Sequence, residues 1–146
     1  MLHTILATQS DIAALVARLA LAIVILPHGL QKVFGWFGGG GIGGTLQGFR
    51  SMGIPAGFGM LAIAAEFLGP LGLALGLFGR VAALGVAAVM ATAAWRVHRP
   101  VGFFMNWYGK LAGEGYEFHL LALGLATVVL ILGSGAYSLD LALTGH

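Results

Sequence analysis

The fold follows from one segment, FGMLAIAAEFLGPLGLALGLFGRVAALGVAAVMATAAWRV, which runs from Phe58 to Val97. A single helix through it would be about 60 Å long, whereas the hydrocarbon core of a bilayer is about 30 Å thick. The segment must therefore turn back on itself, and Gly79-Arg80 interrupts the apolar run near its middle. We predict two membrane-spanning helices, 58–78 and 81–97, joined by a tight hairpin at Gly79-Arg80.

Two further apolar segments flank this pair. Residues 12–34 and 116–133 are each close to the length of about 20 residues that a spanning helix requires. Four spans in succession predict an all-α, polytopic membrane protein whose four transmembrane helices form an antiparallel bundle. We treat residues 1–146 as a single transmembrane domain. Both termini then lie on the side of the Arg80 hairpin, and the two longer connections lie on the opposite side.

The amino-acid composition also indicates that the protein is surrounded by lipid rather than by water. Of the 146 residues, 59% are hydrophobic and 8% are charged, and the mean hydropathy is +0.97. Because soluble domains are about 25% charged, a water-soluble enzyme is excluded. The net charge is only +2 and the chain has no basic stripe with interleaved aromatic residues, which excludes nucleic acid as a partner. The chain has no cysteine, so we predict no covalent haem, iron–sulfur cluster or thiolate metal site.

The two longer connections, 35–57 and 99–115, place aromatic side chains at one end of the bundle. Trp36 lies in the first connection and Trp107 in the second. Trp and Tyr are typical of the membrane–water interface, so we expect this end to lie at the level of the lipid headgroups. The first connection also contains the segment 45–52, which is either a short interfacial helix or part of a flexible loop.

Ionisable side chains inside the apolar segments are the candidates for function. A charge at the centre of a spanning helix costs about 2.5–3.5 kcal/mol on insertion scales, so each one needs a reason. Glu66 lies in the second span, about 12 Å from its start. His28 and Lys32 are four residues apart on the first span and share a face, and Arg18 lies on the same polar stripe, which we expect to face the interior. Glu117 opens the fourth span.

These groups predict a cavity near the interface that takes a flat, amphiphilic ligand. A quinone has two carbonyl oxygens that accept hydrogen bonds, a ring that packs on apolar walls, and a need for protons when it is reduced. We assign Glu66 as the catalytic proton carrier. We assign the following residues to ligand binding: Arg18, His28, Lys32, Trp36, Trp107 and Glu117. The alternative is a set of buried ion pairs, such as Glu66 with Lys32, that only fix the register of the helices.

Haem and metal sites are less favoured by the sequence. His28 and His119 are the plausible pair for bis-histidine haem ligation, because His3 and His146 are terminal and His98 lies at a helix edge. No carboxylate and histidine spacing of the kind used by helical metal sites occurs on two helices. We expect neither haem nor a bound metal.

The order and spacing of several motifs resemble the DoxX family of four-helix bacterial membrane proteins. The motifs are Arg18 with Pro27-His28-Gly29 and Lys32, Gly53-Ile54-Pro55, Glu66-Phe67-Leu68-Gly69, Asn106-Trp107, and Gly115-Tyr116-Glu117. Gly133-Ser134-Gly135 departs from the Gly-Pro-Gly of many members. The resemblance implies an inner-membrane protein with four spans. Some relatives are subunits of a thiosulfate:quinone oxidoreductase, and others are linked to quinones or oxidative stress.

Three functions remain open at this point. The first is a quinone-interacting subunit of a membrane redox system, to which a partner supplies electrons. The second is a carrier or binding protein for a small lipophilic or anionic molecule, and the third is a non-catalytic assembly or scaffold subunit. Expected partners are membrane lipid and either other protein subunits or a second copy of the chain. Five Lys and Arg residues on the side of the long connections against two on the other side favour both termini outside the cell.

Overall fold

The computed structural model describes residues 5–144, and within them the chain is all-α. The six α-helices in this part of the chain are α1 (Ile12–Phe34), α2 (Gly41–Ser51), α3 (Ala56–Leu75), α4 (Gly79–Ala93), α5 (Glu117–Leu132) and α6 (Leu139–Thr144). A 3₁₀ turn, Trp36–Gly38, connects α1 to α2. A π-helical turn, Ala94–His98, extends α4.

Three helices are long and apolar enough to cross a membrane. They are α1 with 23 residues, α3 with 20 residues, and α4 together with its π-helical turn with 20 residues. The 16 residues of α5 form a shorter apolar helix. Large apolar side chains on the outer faces are exposed, for example Ile23 at 72%, Leu61 at 66% and Leu121 at 71%. Exposed apolar surface of this extent is suited to lipid, and the chain is a polytopic membrane protein.

The four long helices pack around a common core. α1 contacts both α3 and α5, and α4 closes the arrangement by contacting α3 and α5 on the other side. The core combines residues of all four, including Ile25, Leu73, Val86 and Val129, which are fully buried. Gly29 brings α1 and α3 into direct backbone contact, because a Cβ atom there would lie 2.2 Å from the carbonyl oxygen of Glu66.

The helix boundaries agree with the sequence prediction for the first span and differ for the central hairpin. α1 matches the predicted span 12–34. The segment 45–52, for which the sequence left an interfacial helix or a flexible loop open, is helical through Ser51 as part of α2, which begins four residues earlier. The prediction of a hairpin turn at Gly79-Arg80 is wrong, because the turn lies three residues earlier. It begins at Gly76, which caps the end of α3 with a φ of 62°, and α4 already begins at Gly79.

A distant side chain explains that shift. The carboxylate of Asp140 accepts hydrogen bonds from the backbone N–H groups of Phe78 at 2.8 Å and Gly79 at 2.9 Å. N–H groups at the start of a helix have no partner within the helix, so Asp140 supplies the acceptor that these two need. Its negative charge also interacts favourably with the helix dipole at the start of α4. Because Asp140 is about sixty residues further along the chain, local sequence signals around Gly79 do not reveal where the helix starts.

Candidate functional site

The polar centre of the site is an ion pair between α1 and α3. Lys32 Nζ donates to the carboxylate of Glu66, and this is the one ion pair among residues 5–144. The Glu66 side chain is 6% exposed and the Lys32 side chain is 24% exposed. The absent side chain of Gly29, three residues before Lys32, lets α1 approach α3 closely at this level. Packing of two backbones thus holds the two charges together.

A cavity of about 540 Å³ lies beside this ion pair, between α2, α3 and α4. The space exists because the facing residues of α3 and α4 are small. They are Ala62, Ala65, Gly85 and Ala88. Phe49 of α2, Met52 directly after it and Phe58 of α3 provide apolar walls nearer the long connections. The polar side chains of the lining are those of Lys32, Glu66, Thr92 and Arg96. The result is a mainly apolar cavity with one buried ion pair in its wall.

A pair of histidines forms a second polar feature at the same end. The rings of His98 and His119 lie 4.1 Å apart between centroids and are tilted by 39°. Nδ1 of His98 lies 2.8 Å from the carbonyl oxygen of Glu114. His119 is 6% exposed, and its Nδ1 has no hydrogen-bond partner in the part of the chain that the structure describes. His98 is in the π-helical turn, a feature that often occurs at functional sites.

Of the residues predicted to bind a ligand, Lys32 lines the cavity with Glu66, and His28 is near them. His28 lies four residues before Lys32 on α1, about one helical turn away, and its side chain is exposed. The ion pair between Lys32 and Glu66, which the sequence analysis gave as the structural alternative, is present in the structure.

The structure separates Arg18 from this site. Arg18 is 1% exposed, and its three nitrogens donate to five backbone carbonyls at the opposite end of the bundle. The carbonyls belong to Leu73 and Ala74 at the end of α3 and to Ser134, Ala136 and Tyr137 after α5. All five N–H groups of the guanidinium are engaged, so Arg18 joins the end of α3 to the segment after α5.

The structure also places Glu117, Trp107 and Trp36 outside the cavity lining. Glu117 accepts hydrogen bonds from the backbone N–H of Met105 at 2.8 Å and from Nε1 of Trp107 at 3.3 Å, so it orders the connection between α4 and α5. Trp107 is 79% exposed. Trp36 is 55% exposed and packs against Phe34, with 5.5 Å between ring centroids. These aromatic side chains lie at the surface of the long-connection end, where an interfacial belt was predicted.

Sequence reasoning did not find the walls of the cavity or its rim. Phe49 in α2 and Met52 directly after it line the cavity, whereas the sequence left a helix or a loop open for this segment and assigned it no contact. Arg96 lines the cavity, and its Nη2 lies 3.4 Å from the carbonyl oxygen of Met52. The sequence signal for the cavity is a spacing of three residues between small side chains. It occurs on α3 with Ala62 and Ala65 and on α4 with Gly85 and Ala88. It indicates close packing as readily as it indicates a gap.

Comparisons with known proteins agree on a membrane family. The sequence model of the family described as DoxX matches residues 13–99, which extend from α1 to the end of the π-helical turn. The inner membrane protein YqjF of Escherichia coli (strain K12) is 29% identical over 130 residues, which are 89% of this chain and 91% of that protein. No solved structure matches the chain significantly.

Proposed function

The chain belongs to the DoxX family and is a multi-pass inner-membrane protein, and on that premise we propose that it binds a quinone in the cavity beside Lys32 and Glu66. In this proposal it acts as a subunit of a membrane redox system. We further propose that α5 crosses the membrane as a fourth span, which makes the molecule an antiparallel bundle of four transmembrane helices.

The observation that carries the proposal is the apolar cavity with an ion pair in its wall. Its volume of about 540 Å³ is in the range of about 300–1,000 Å³ that is typical of small-molecule sites. The apolar walls suit the ring and the first part of an isoprenoid tail. Phe58 and Leu61 of α3 line the cavity and are both 66% exposed, so we propose that a lipid-soluble molecule enters past them from the bilayer.

The ion pair supplies the polar chemistry that a quinone needs. The ammonium group of Lys32 donates a hydrogen bond to one carbonyl oxygen, and Glu66 takes up a proton and passes it to a reduced oxygen. A quinone becomes a quinol by gaining two electrons and two protons. We assign the electrons to a reduced partner subunit, and the protons reach the cavity through the ion pair from the long-connection side.

A steric test addresses the cavity without touching the ion pair. Ala88 lines the cavity, whereas Ala91 is exposed on the same helix outside the lining. Ala88→Phe should weaken binding of a short-chain quinone by about tenfold or more, which is about 1.4 kcal/mol. Ala91→Phe, the matched control, should leave binding unchanged. Titration calorimetry on the purified protein gives both values, and equal affinities of the two variants would contradict the proposed location.

A second test addresses the ion pair. Lys32→Met or Glu66→Gln alone leaves a buried group without its partner, and breaking such a pair typically costs about 3–5 kcal/mol of stability. The double variant Lys32→Met, Glu66→Met removes both charges and should remain folded, because an apolar replacement of a buried pair is often neutral. We expect this folded double variant to lose quinone binding. Normal binding by it would show that the pair is only structural.

The molecules that co-purify with the protein distinguish the quinone-binding subunit from a carrier and from a scaffold. Native mass spectrometry with small-molecule extraction, on protein purified gently from its own membrane, should yield a stoichiometric quinone and a redox partner. A stoichiometric lipophilic molecule that is not a quinone would favour the carrier or binding protein, which would use the same cavity. Partner subunits without any small molecule would favour the scaffold.

A further inference from the structure

All five Asp and Glu side chains, which lie within residues 5–144, are already engaged by groups of the protein. At the short-connection end, Asp11 accepts from the backbone N–H of Ala14 and Asp140 accepts from the start of α4. At the long-connection end, Glu66 pairs with Lys32, Glu114 accepts from the backbone N–H of Asn106 at 2.7 Å, and Glu117 orders the α4–α5 connection. The acidic side chains are thus used to neutralise Lys32 and to bind backbone donors.

The Lys and Arg side chains are distributed unequally between the two ends of the bundle. Arg18 and Arg80 bind backbone carbonyls at the short-connection end, where they balance the two aspartates. The long-connection end carries five cations and three glutamates, so the whole net charge of +2 is at that end. Arg50, Arg96, Arg99 and Lys110 are exposed there and form no ion pair within residues 5–144.

Three of these cations lie close to the ends of α2 and α4. Nη2 of Arg96, in the π-helical turn that extends α4, lies 3.4 Å from the carbonyl oxygen of Met52, two residues after Arg50 in α2. Arg99 lies over the ring of Trp95, with its guanidinium carbon 4.1 Å from the ring centroid. Trp95 is itself 65% exposed. We call Arg50, Trp95, Arg96 and Arg99 the arginine patch.

We propose that the arginine patch is a binding site for the phosphate of an anionic phospholipid headgroup. A guanidinium group presents paired donors that match phosphate oxygens, and these three are not committed to a carboxylate. The exposed Trp95 ring is typical of the headgroup level, and it holds Arg99 in place by a cation–π contact. Arg96 also lines the cavity, so the bound headgroup lies at the cavity rim. This site does not depend on the identity of the cavity ligand.

The test compares the affinities of anionic and zwitterionic lipids for the reconstituted protein. Trace spin-labelled phosphatidylglycerol or phosphatidylcholine is added to protein in phosphatidylcholine bilayers, and the immobilised fraction gives a relative association constant. We expect phosphatidylglycerol to be preferred. Arg96→Gln and Arg99→Gln should each lower its association constant about fivefold, as expected for about one cationic side chain near a lipid surface. Lys110→Gln, a matched loss of charge outside the patch, should change it less than about twofold.

Trp95 provides a separate test of positioning. Trp95→Leu should weaken phosphatidylglycerol binding about twofold to fivefold by releasing Arg99, and Trp95→Phe should restore most of it by keeping a ring. If the Arg96, Arg99 and Lys110 variants lowered the association constant of phosphatidylglycerol equally, the preference would come from general surface charge, and the proposed site would be overturned. Equal affinity for the two lipids, or displacement of the lipid by millimolar inorganic phosphate, would also overturn it.

Discussion

Arg18 shows at the scale of a single residue how a buried charge can serve structure alone. A fully buried guanidinium is costly in lipid unless all its donors are satisfied, and here five backbone carbonyls satisfy them. Two of the acceptors are at the end of α3 and three are in the segment after α5, and all would otherwise leave carbonyls unpaired in an apolar environment. Arg18 therefore satisfies these carbonyls, and we infer that it has no free donor for a ligand.

Arg18→Met should lower the free energy of unfolding by about 3 kcal/mol or more, because it leaves these carbonyls without donors. Arg18→Lys should recover only part of the loss, since an ammonium group has three donors instead of five. Unfolding in mixed detergent micelles measures the difference, with Lys110→Gln as an exposed control. Wild-type stability of Arg18→Met would contradict the structural role.

The pair formed by the buried His119 and the half-buried His98 gives a prediction with opposite signs for its two members. His119→Leu removes a buried nitrogen that lacks a partner within residues 5–144, and should raise stability by about 1 kcal/mol. His98→Leu removes the contact with the carbonyl of Glu114 and should lower stability by about 1 kcal/mol. A loss of stability in His119→Leu would indicate that its Nδ1 is hydrogen-bonded to water or to a ligand.

Contacts that depend on depth and spacing could be predicted from the sequence, whereas contacts with distant backbone could not. Glu66 and Lys32 were identified because a charge deep in a span needs a partner, and the structure pairs them. Arg18 was assigned to the same stripe, but its partners lie 55 to 119 residues away along the chain. The sequence gives no local sign that a carbonyl 119 residues away will be an acceptor.

At the scale of elements, glycine determines how closely the helices approach each other. Gly29 is buried against the α3 backbone, while Gly124 on α5 has open space where a side chain would lie. The helix spans were predictable from the length of apolar runs, but these close contacts were not. A glycine in an apolar helix has the same local sequence signal whether it faces another backbone or lipid.

Gly29→Ala should separate α1 from α3, cost about 1–3 kcal/mol of stability and weaken the contact between Lys32 and Glu66. Gly124→Ala, the matched control on α5, should be neutral or stabilising by up to about 1 kcal/mol, because alanine is the better helix former. Unfolding measurements on both variants provide the comparison. A Gly29→Ala protein as stable as the Gly124→Ala protein would contradict the close approach of the two backbones.

At the scale of the whole molecule, the asymmetric charge distribution predicts the orientation in the membrane. All of the net charge lies at the long-connection end, and positively charged connections tend to remain in the cytoplasm. Tyr108 and Tyr137 lie on either side of α5 and are 87% and 85% exposed. Because the sequence contains no cysteine, a single cysteine at either position is an unambiguous chemical reporter.

We expect Tyr137→Cys to react with a membrane-impermeant thiol reagent added to intact cells, and Tyr108→Cys to react only after the membrane is opened. This result would place the long connections in the cytoplasm and show that α5 crosses the bilayer. Reaction of both positions from the same side would contradict the fourth crossing. The reverse pattern would retain the crossing and invert the orientation.

The hydrogen bonds of Arg18 also determine when the protein can become stable during its synthesis. α1 leaves the ribosome with Arg18 and Lys32 already in place, but their partners at Glu66, Leu73 and Ser134 are made later. Until the segment after α5 has emerged, Arg18 lacks three of its five acceptors. We therefore expect α1 to be stably inserted only after the segment following α5 has been made, and nascent chains that stop before Ser134 should be substrates for membrane proteases.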